Sequence, residues 1–192
     1  PNQCDNYLEA GFDYLHDKAG MYDYLRGVMC KGWPASGITA QWMQHGEERL
    51  NHMLYFLENH DEQRIASGFF CGSGRCAEPA MIVATMLNQC PVMIYSGQEL
   101  GERGMDMEGF SGIDGRSTIF DYWGLKSLQA WANKGKFDGA KMNEAQQELH
   151  EFYSRLLTIA RDDKAVQKGK MYDITYAQGE GIDKQQHFAF LR

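Results

Sequence analysis

Two uninterrupted apolar runs of strand length constrain this chain more than any other feature: Met53-Leu54-Tyr55-Phe56-Leu57 and Pro91-Val92-Met93-Ile94-Tyr95. A continuous run, as opposed to an alternating one, suits a strand of a parallel sheet that is buried on both faces. The segment between them supplies a helix, with Pro79 in its first turn and a body, Ala80 to Leu87, that is apolar nearly all round. Each run breaks directly into polar sequence. Glu58-Asn59-His60-Asp61-Glu62 follows the first, and Ser96-Gly97-Gln98-Glu99-Leu100-Gly101 follows the second. Strand, helix, strand is the grammar of α/β architecture.

The flanking sequence extends the pattern. Gly11-Phe12-Asp13-Tyr14-Leu15 reads as a short strand, and Asp17 is placed to cap a helix carrying Met21, Tyr22, Leu25, Val28 and Met29. Gly32-Trp33-Pro34 stops that helix, and a second helical piece is expected from Ile38 to Leu50. Gly68, Gly72 and Gly74 mark a loop. From Glu102 to Gly139 no clear period emerges, and a loop that long in a compact domain is usually functional. Leu149, Phe152, Tyr153, Leu156, Leu157 and Ala160 then form a clean helical stripe. Lys170–Tyr176 and His187–Leu191 read as two antiparallel strands joined across Gly179 and Gly181. Three βα units are too few to close a (β/α)8 barrel of roughly 200–250 residues, and no G-x-G-x-x-G follows the first strand.

Composition excludes several classes. With 26 acidic and 19 basic side chains the net charge is −7, which argues against counterion-release binding to nucleic acid and against a polybasic membrane surface. No apolar run approaches the roughly 18 residues needed to span a bilayer. The five cysteines are odd in number and contain no C-x-x-C, so a disulfide framework is not expected. Cys71 and Cys76 bracket a Gly-rich loop and are able to pair, although five reduced thiols is the plainer expectation. The six histidines show no zinc-like spacing, so no metal site is expected in this segment. Pro1 opens the chain without the pattern of a signal peptide, as an excised piece of a longer protein would.

The candidate site is Asn59-His60-Asp61, directly after a buried strand. In parallel α/β proteins chemistry gathers at the carboxyl ends of strands. A carboxylate flanked by an imidazole and an amide can stabilise positive charge and hold hydroxyl groups, the two needs of sugar chemistry. The same residues also suit a simple turn cap, and spacing alone leaves both readings open.

At this point the sequence resembles the α-amylase family, glycoside hydrolase family thirteen. Phe56-Leu57-Glu58-Asn59-His60-Asp61 is similar to the family's F-x-x-N-H-D signature after barrel strand seven, and Pro91 to Gly101 resembles its strand-eight segment. Phe12-Asp13-Tyr14 falls on strand six, Phe120-Asp121-Tyr122-Trp123 on the last loop, and Phe188 to Arg192 on the opening of the C-terminal β domain. The resemblance implies an α/β fold: the C-terminal half of a (β/α)8 TIM barrel, strands six to eight, over residues 1–165, and the first strands of an antiparallel β-sandwich domain over 166–192. It implies that Asp61 is the transition-state-stabilising carboxylate, that His60 hydrogen-bonds the sugar, and that Asn59 supports them. It places Gly97-Gln98 where chloride-dependent members carry a basic residue, so no chloride site is expected. Glu99 takes a structural role in the strand-eight loop, and Tyr122, Trp123 and Trp131 are candidates to stack on sugar rings or to pack the loop's own core.

Retaining glycosidases need a nucleophile and an acid/base carboxylate roughly 5–5.5 Å apart. In this family both precede the positions matched here. The resemblance therefore implies part of a retaining α-glycosidase for starch-like α-glucans or oligosaccharides, inactive alone and completed by the missing N-terminal half of the barrel. No cofactor is expected in this segment, calcium being bound in the family through upstream residues. Neither a nucleic acid nor a membrane is an expected partner. Two other readings stand beside it: a non-catalytic carbohydrate-binding or interaction protein on a degenerate amylase scaffold, and a transglycosylase or isomerase of the same family.

Overall fold

A computed structural model describes residues 3–106, 112–120, 124–183 and 185–192. Its elements run α1 (Cys4–Glu9), β1 (Leu15–His16), α2 (Asp23–Lys31), α3 (Ile38–Met43), α4 (Gly46–Leu50), β2 (Met53–Phe56), α5 (Glu78–Met86), β3 (Val92–Met93), α6 (Lys126–Ala132), α7 (Glu144–Asp162), α8 (Lys164–Lys168), β4 (Tyr172–Asp173) and β5 (Phe190–Leu191). The chain divides into two compact units, one comprising Pro1–Phe56, Ile82–Met93 and Ile159–Arg192, the other Leu57–Met81 and Ile94–Thr158.

The first unit holds a three-stranded sheet in the order β1-β2-β3. All pairs are parallel, with Leu15 opposite Met53 and Tyr55 opposite Val92. β2 is central and carries buried Met53, Tyr55 and Phe56, as its apolar run requires. β3 was expected to be equally buried over Pro91–Tyr95. It is shorter and half-buried, because it is an outer strand paired on one side only. β1 is likewise shorter than Gly11–Leu15. The helical turn of α1 and the positive φ of Gly11 (98°) delay the extended backbone, and pairing starts where the Leu15 N–H donates to His52 O at 2.8 Å.

Between β1 and β2 the chain follows its signals closely. The Asp17 carboxylate accepts from the Gly20 N–H at 3.1 Å and opens a π-helical turn, Lys18–Tyr22, that flows into α2. Met21, Tyr22 and Leu25 are buried, and Tyr22 stacks on Phe56 with centroids 4.9 Å apart. Gly32 ends α2 in the left-handed region. The second helical piece is two helices, α3 and α4, parted where Gly46 takes φ 70°.

In the second unit the core gathers Leu57, Ile65, Met81 and Leu100 with Leu149, Tyr153 and Leu156 of α7. The stretch read as aperiodic contains α6, a helix too short and too mixed to show a period. β4 and β5, back in the first unit, form the expected antiparallel pair, with Tyr172 opposite Leu191. No described helix is long and apolar enough to cross a membrane.

Candidate active site

Asn59, His60 and Asp61 follow β2 in the chain and lie wholly in the second unit. Asn59 makes the turn. Its Oδ1 accepts from the backbone N–H of Asp61 at 2.8 Å and of Glu62 at 2.9 Å. This is an Asx turn, which a short amide side chain forms because it mimics a backbone carbonyl. Asn59 is buried, while the side chains of His60 and Asp61 are 49% and 72% exposed, with Nε2 and Oδ2 3.5 Å apart. The three residues singled out from the sequence are thus brought together on one turn, an imidazole and a carboxylate side by side and open to solvent.

The ends of that turn are closed from below. Glu58 and Arg64 are buried completely and paired, Nη1 to Oε2, at 2.7 Å. The other Glu58 oxygen accepts from the Ile65 N–H at 2.7 Å. Arg64 continues outward: Nε donates to Ser117 Oγ at 2.7 Å and Nη2 to Ser96 O at 2.8 Å. Its guanidinium lies 4.2 Å from the centroid of Tyr95, whose hydroxyl donates to Ser117 O at 2.9 Å. Burial pushes the Glu58 carboxyl above the ordinary glutamate range, against the pull of Arg64 and the Ile65 N–H.

A second strand of backbone runs alongside. The Arg64 N–H donates to Gly115 O at 2.6 Å, and Arg116 Nε donates to Asp61 O at 2.8 Å. Arg116 is itself held by Asp114, Nη1 to Oδ2 at 3.2 Å. Gly115 is required there, since its φ is 79° and a Cβ would stand 2.7 Å from Ser67 Oγ.

The loop after β3 is tied differently from expectation. Among the described residues the loop's own side chains that tie it are the neighbours of Glu99. Gln98 Oε1 accepts from the Tyr95 N–H at 3.2 Å, and Gln98 Nε2 donates to the Tyr153 hydroxyl at 2.9 Å. Glu102 accepts from the backbone of Arg103 and Gly104 and from the Ser127 hydroxyl. Gln98 and Glu102 are buried and Glu99 is not, so the anchoring role moves to the side chains that face inward. Trp131 packs on Phe137, ring centroids 5.5 Å apart. Tyr122 and Trp123 lie outside the described residues.

The cysteine expectation is corrected. Cys71 and Cys76 form a disulfide, leaving Cys4, Cys30 and Cys90 as free thiols. Gly72 at φ 77° and the 3-10 turn Gly74–Ala77 bring the two Cα atoms to 6.4 Å, within disulfide reach. Among the described residues no three His, Cys, Asp or Glu stand close enough to hold a metal ion.

Sequence reasoning missed Glu58, Arg64, Arg116 and Ser117. The available signal was a glutamate abutting Leu57, the end of an apolar run. Nothing in the pattern distinguishes Arg64 or Arg116 from a solvated surface charge.

A family model described as the α-amylase catalytic domain matches residues 12–179, most of the chain. Neither the curated proteins nor the solved structures searched contain a match.

Proposed function

The chain belongs to the α-amylase catalytic-domain family, glycoside hydrolases of TIM-barrel-related α/β fold, and on that premise we propose that it is the C-terminal part of such a hydrolase's active site. Residues 1–165 would supply strands six to eight of the barrel as β1, β2 and β3, and 166–192 the start of the β domain. Asp61 is the carboxylate of the site, His60 the partner that orients a sugar hydroxyl, and Asn59 the former of the turn that carries both. The substrate is a starch-like α-glucan or oligosaccharide.

One observation supports this reading above the rest. The Asx turn leaves the Asp61 carboxylate and the His60 imidazole exposed side by side, 3.5 Å apart, on a loop anchored by fully buried groups. A pure turn cap needs Asn59 alone. It gives no reason for an acid and an imidazole to project together from a loop that is otherwise so firmly held. In a double displacement with retention, an upstream Asp attacks the anomeric carbon and an upstream Glu protonates the leaving oxygen. Asp61 then acts by holding hydroxyls more strongly as positive charge develops on the ring, which is what lowers a barrier.

The test is hydrolysis of soluble starch, read as released reducing sugar. A full-length chain containing these residues is expected to be active and to lose on the order of a thousandfold in kcat on Asp61→Asn. Residues 1–192 alone are expected to show no turnover. Asp61-dependent hydrolysis by the purified 192-residue chain would overturn the division of the site. An unchanged kcat in the Asp61→Asn enzyme would overturn the role of Asp61.

A further inference from the structure

The turn bearing Asp61 is closed at its two ends by one buried ion pair, and the geometry points to Arg64, held by Glu58, as the positioning residue that fixes Asp61; this rests on the catalytic reading proposed above. The two residues bracket the turn, and no other pair among the described residues combines full burial with a position on both its flanks. Arg64 makes three side-chain bonds to three separate places: Glu58 Oε2, Ser96 O after β3, and Ser117 Oγ. Its own N–H adds a fourth anchor at Gly115 O, one residue from the Arg116 that grips Asp61 O. A planar fork of donors sets direction as well as distance, which a lysine's single ammonium does not.

Stability alone is a poor reason for such a pair. A buried ion pair contributes little compared with well-packed apolar side chains of similar volume, and its attested use is to select one arrangement. Glu58 serves a second purpose. It pairs with the Arg64 guanidinium at Nη1 while Ser117 and Ser96 take the other donors, so the guanidinium three residues from Asp61 is not drawn to that carboxylate, which stays open for a sugar.

Amide hydrogen exchange on the 192-residue chain tests the clamp without requiring catalysis. In Arg64→Lys, exchange at Asp61 and Glu62, whose N–H groups Asn59 holds, is expected to quicken about tenfold, while Leu149 to Leu156 of α7 stay within about twofold. Ser117→Ala removes one of the bonds and strands no charge, and is expected to show the same local change at about threefold. In a full-length enzyme Arg64→Lys is expected to lower kcat about tenfold or more with KM within about threefold, because misplacement acts on the transition state. Exchange at Asp61 and Glu62 that is unchanged in both variants, or that rises in step with α7, overturns the inference. So does a wild-type kcat in Arg64→Lys alongside an inactive Asp61→Asn. An active Asp61→Asn beside a local exchange change overturns the catalytic reading instead and leaves the clamp in place.

Discussion

At the scale of single residues, the site depends on groups that are buried and charged. Arg64→Met would strand the Glu58 carboxylate in the core, at a cost of roughly 3–5 kcal/mol. The pH dependence of that variant follows from sign. Burial already raises the Glu58 carboxyl above its ordinary range, and Arg64 opposes the rise. Without Arg64 the folded state holds the proton still more tightly than the unfolded chain does. Folding stability is then fully present below the ordinary glutamate range and falls as pH rises toward the raised folded value. Urea midpoints of Arg64→Met should fall from pH 5 to pH 8 relative to the unsubstituted chain, and that added slope should vanish in Glu58→Gln/Arg64→Met. Tyr153→Phe makes a smaller test. Its hydroxyl accepts from Gln98 Nε2 at 2.9 Å inside the core, so its loss should cost about 1–2 kcal/mol in the same assay. Asn59, His60 and Asp61 were legible because they follow an apolar run directly. Arg64 and Arg116 were not, since an arginine's partners are chosen by folding and leave no periodicity behind.

At the scale of elements, legibility followed the length of the apolar pattern. α7 and β2 appear where their residues place them, because a long stripe or a continuous run has one way to be buried. β1 and β3 are shorter than their runs, since a strand extends only as far as a neighbour pairs with it. α6 was hidden in seven residues of mixed character. The loop 71–76 is a further case, in which two glycine-assisted turns close a disulfide that spacing had left open. A bridge around so few residues should contribute about 2 kcal/mol by restricting the unfolded chain. Thermal melting with and without a phosphine reductant is expected to differ by several degrees, and Cys71→Ser/Cys76→Ser should remove the difference. An identical melt in both conditions would show that the bridge carries no stability.

At the scale of the whole molecule, β1 and β3 are the outer strands of the parallel sheet. Outer strands present unpaired backbone groups and invite further pairing. Tyr7, Phe12 and Tyr14 are exposed on either side of the turn into β1, and Tyr7 and Phe12 touch edge to face with centroids 5.7 Å apart. The 192-residue chain is therefore expected to self-associate reversibly in the micromolar to millimolar range, read by light scattering on a sizing column. A chain that stays monomeric throughout would show that these outer strands do not recruit a second copy. By itself the sequence determined the α/β class, the order of the strands with α2, α5 and α7 among them, and the turn that bears the candidate acid. Those follow from short-range rules: which residues are apolar, at what period, and which side chain can cap a turn. Only the tertiary structure decided that Glu58 and Arg64 meet, that Ser96 and Ser117 complete their bonds, and that Cys71 and Cys76 are joined. Those pairings depend on distances between segments far apart in the chain, and such distances exist only once the chain has folded.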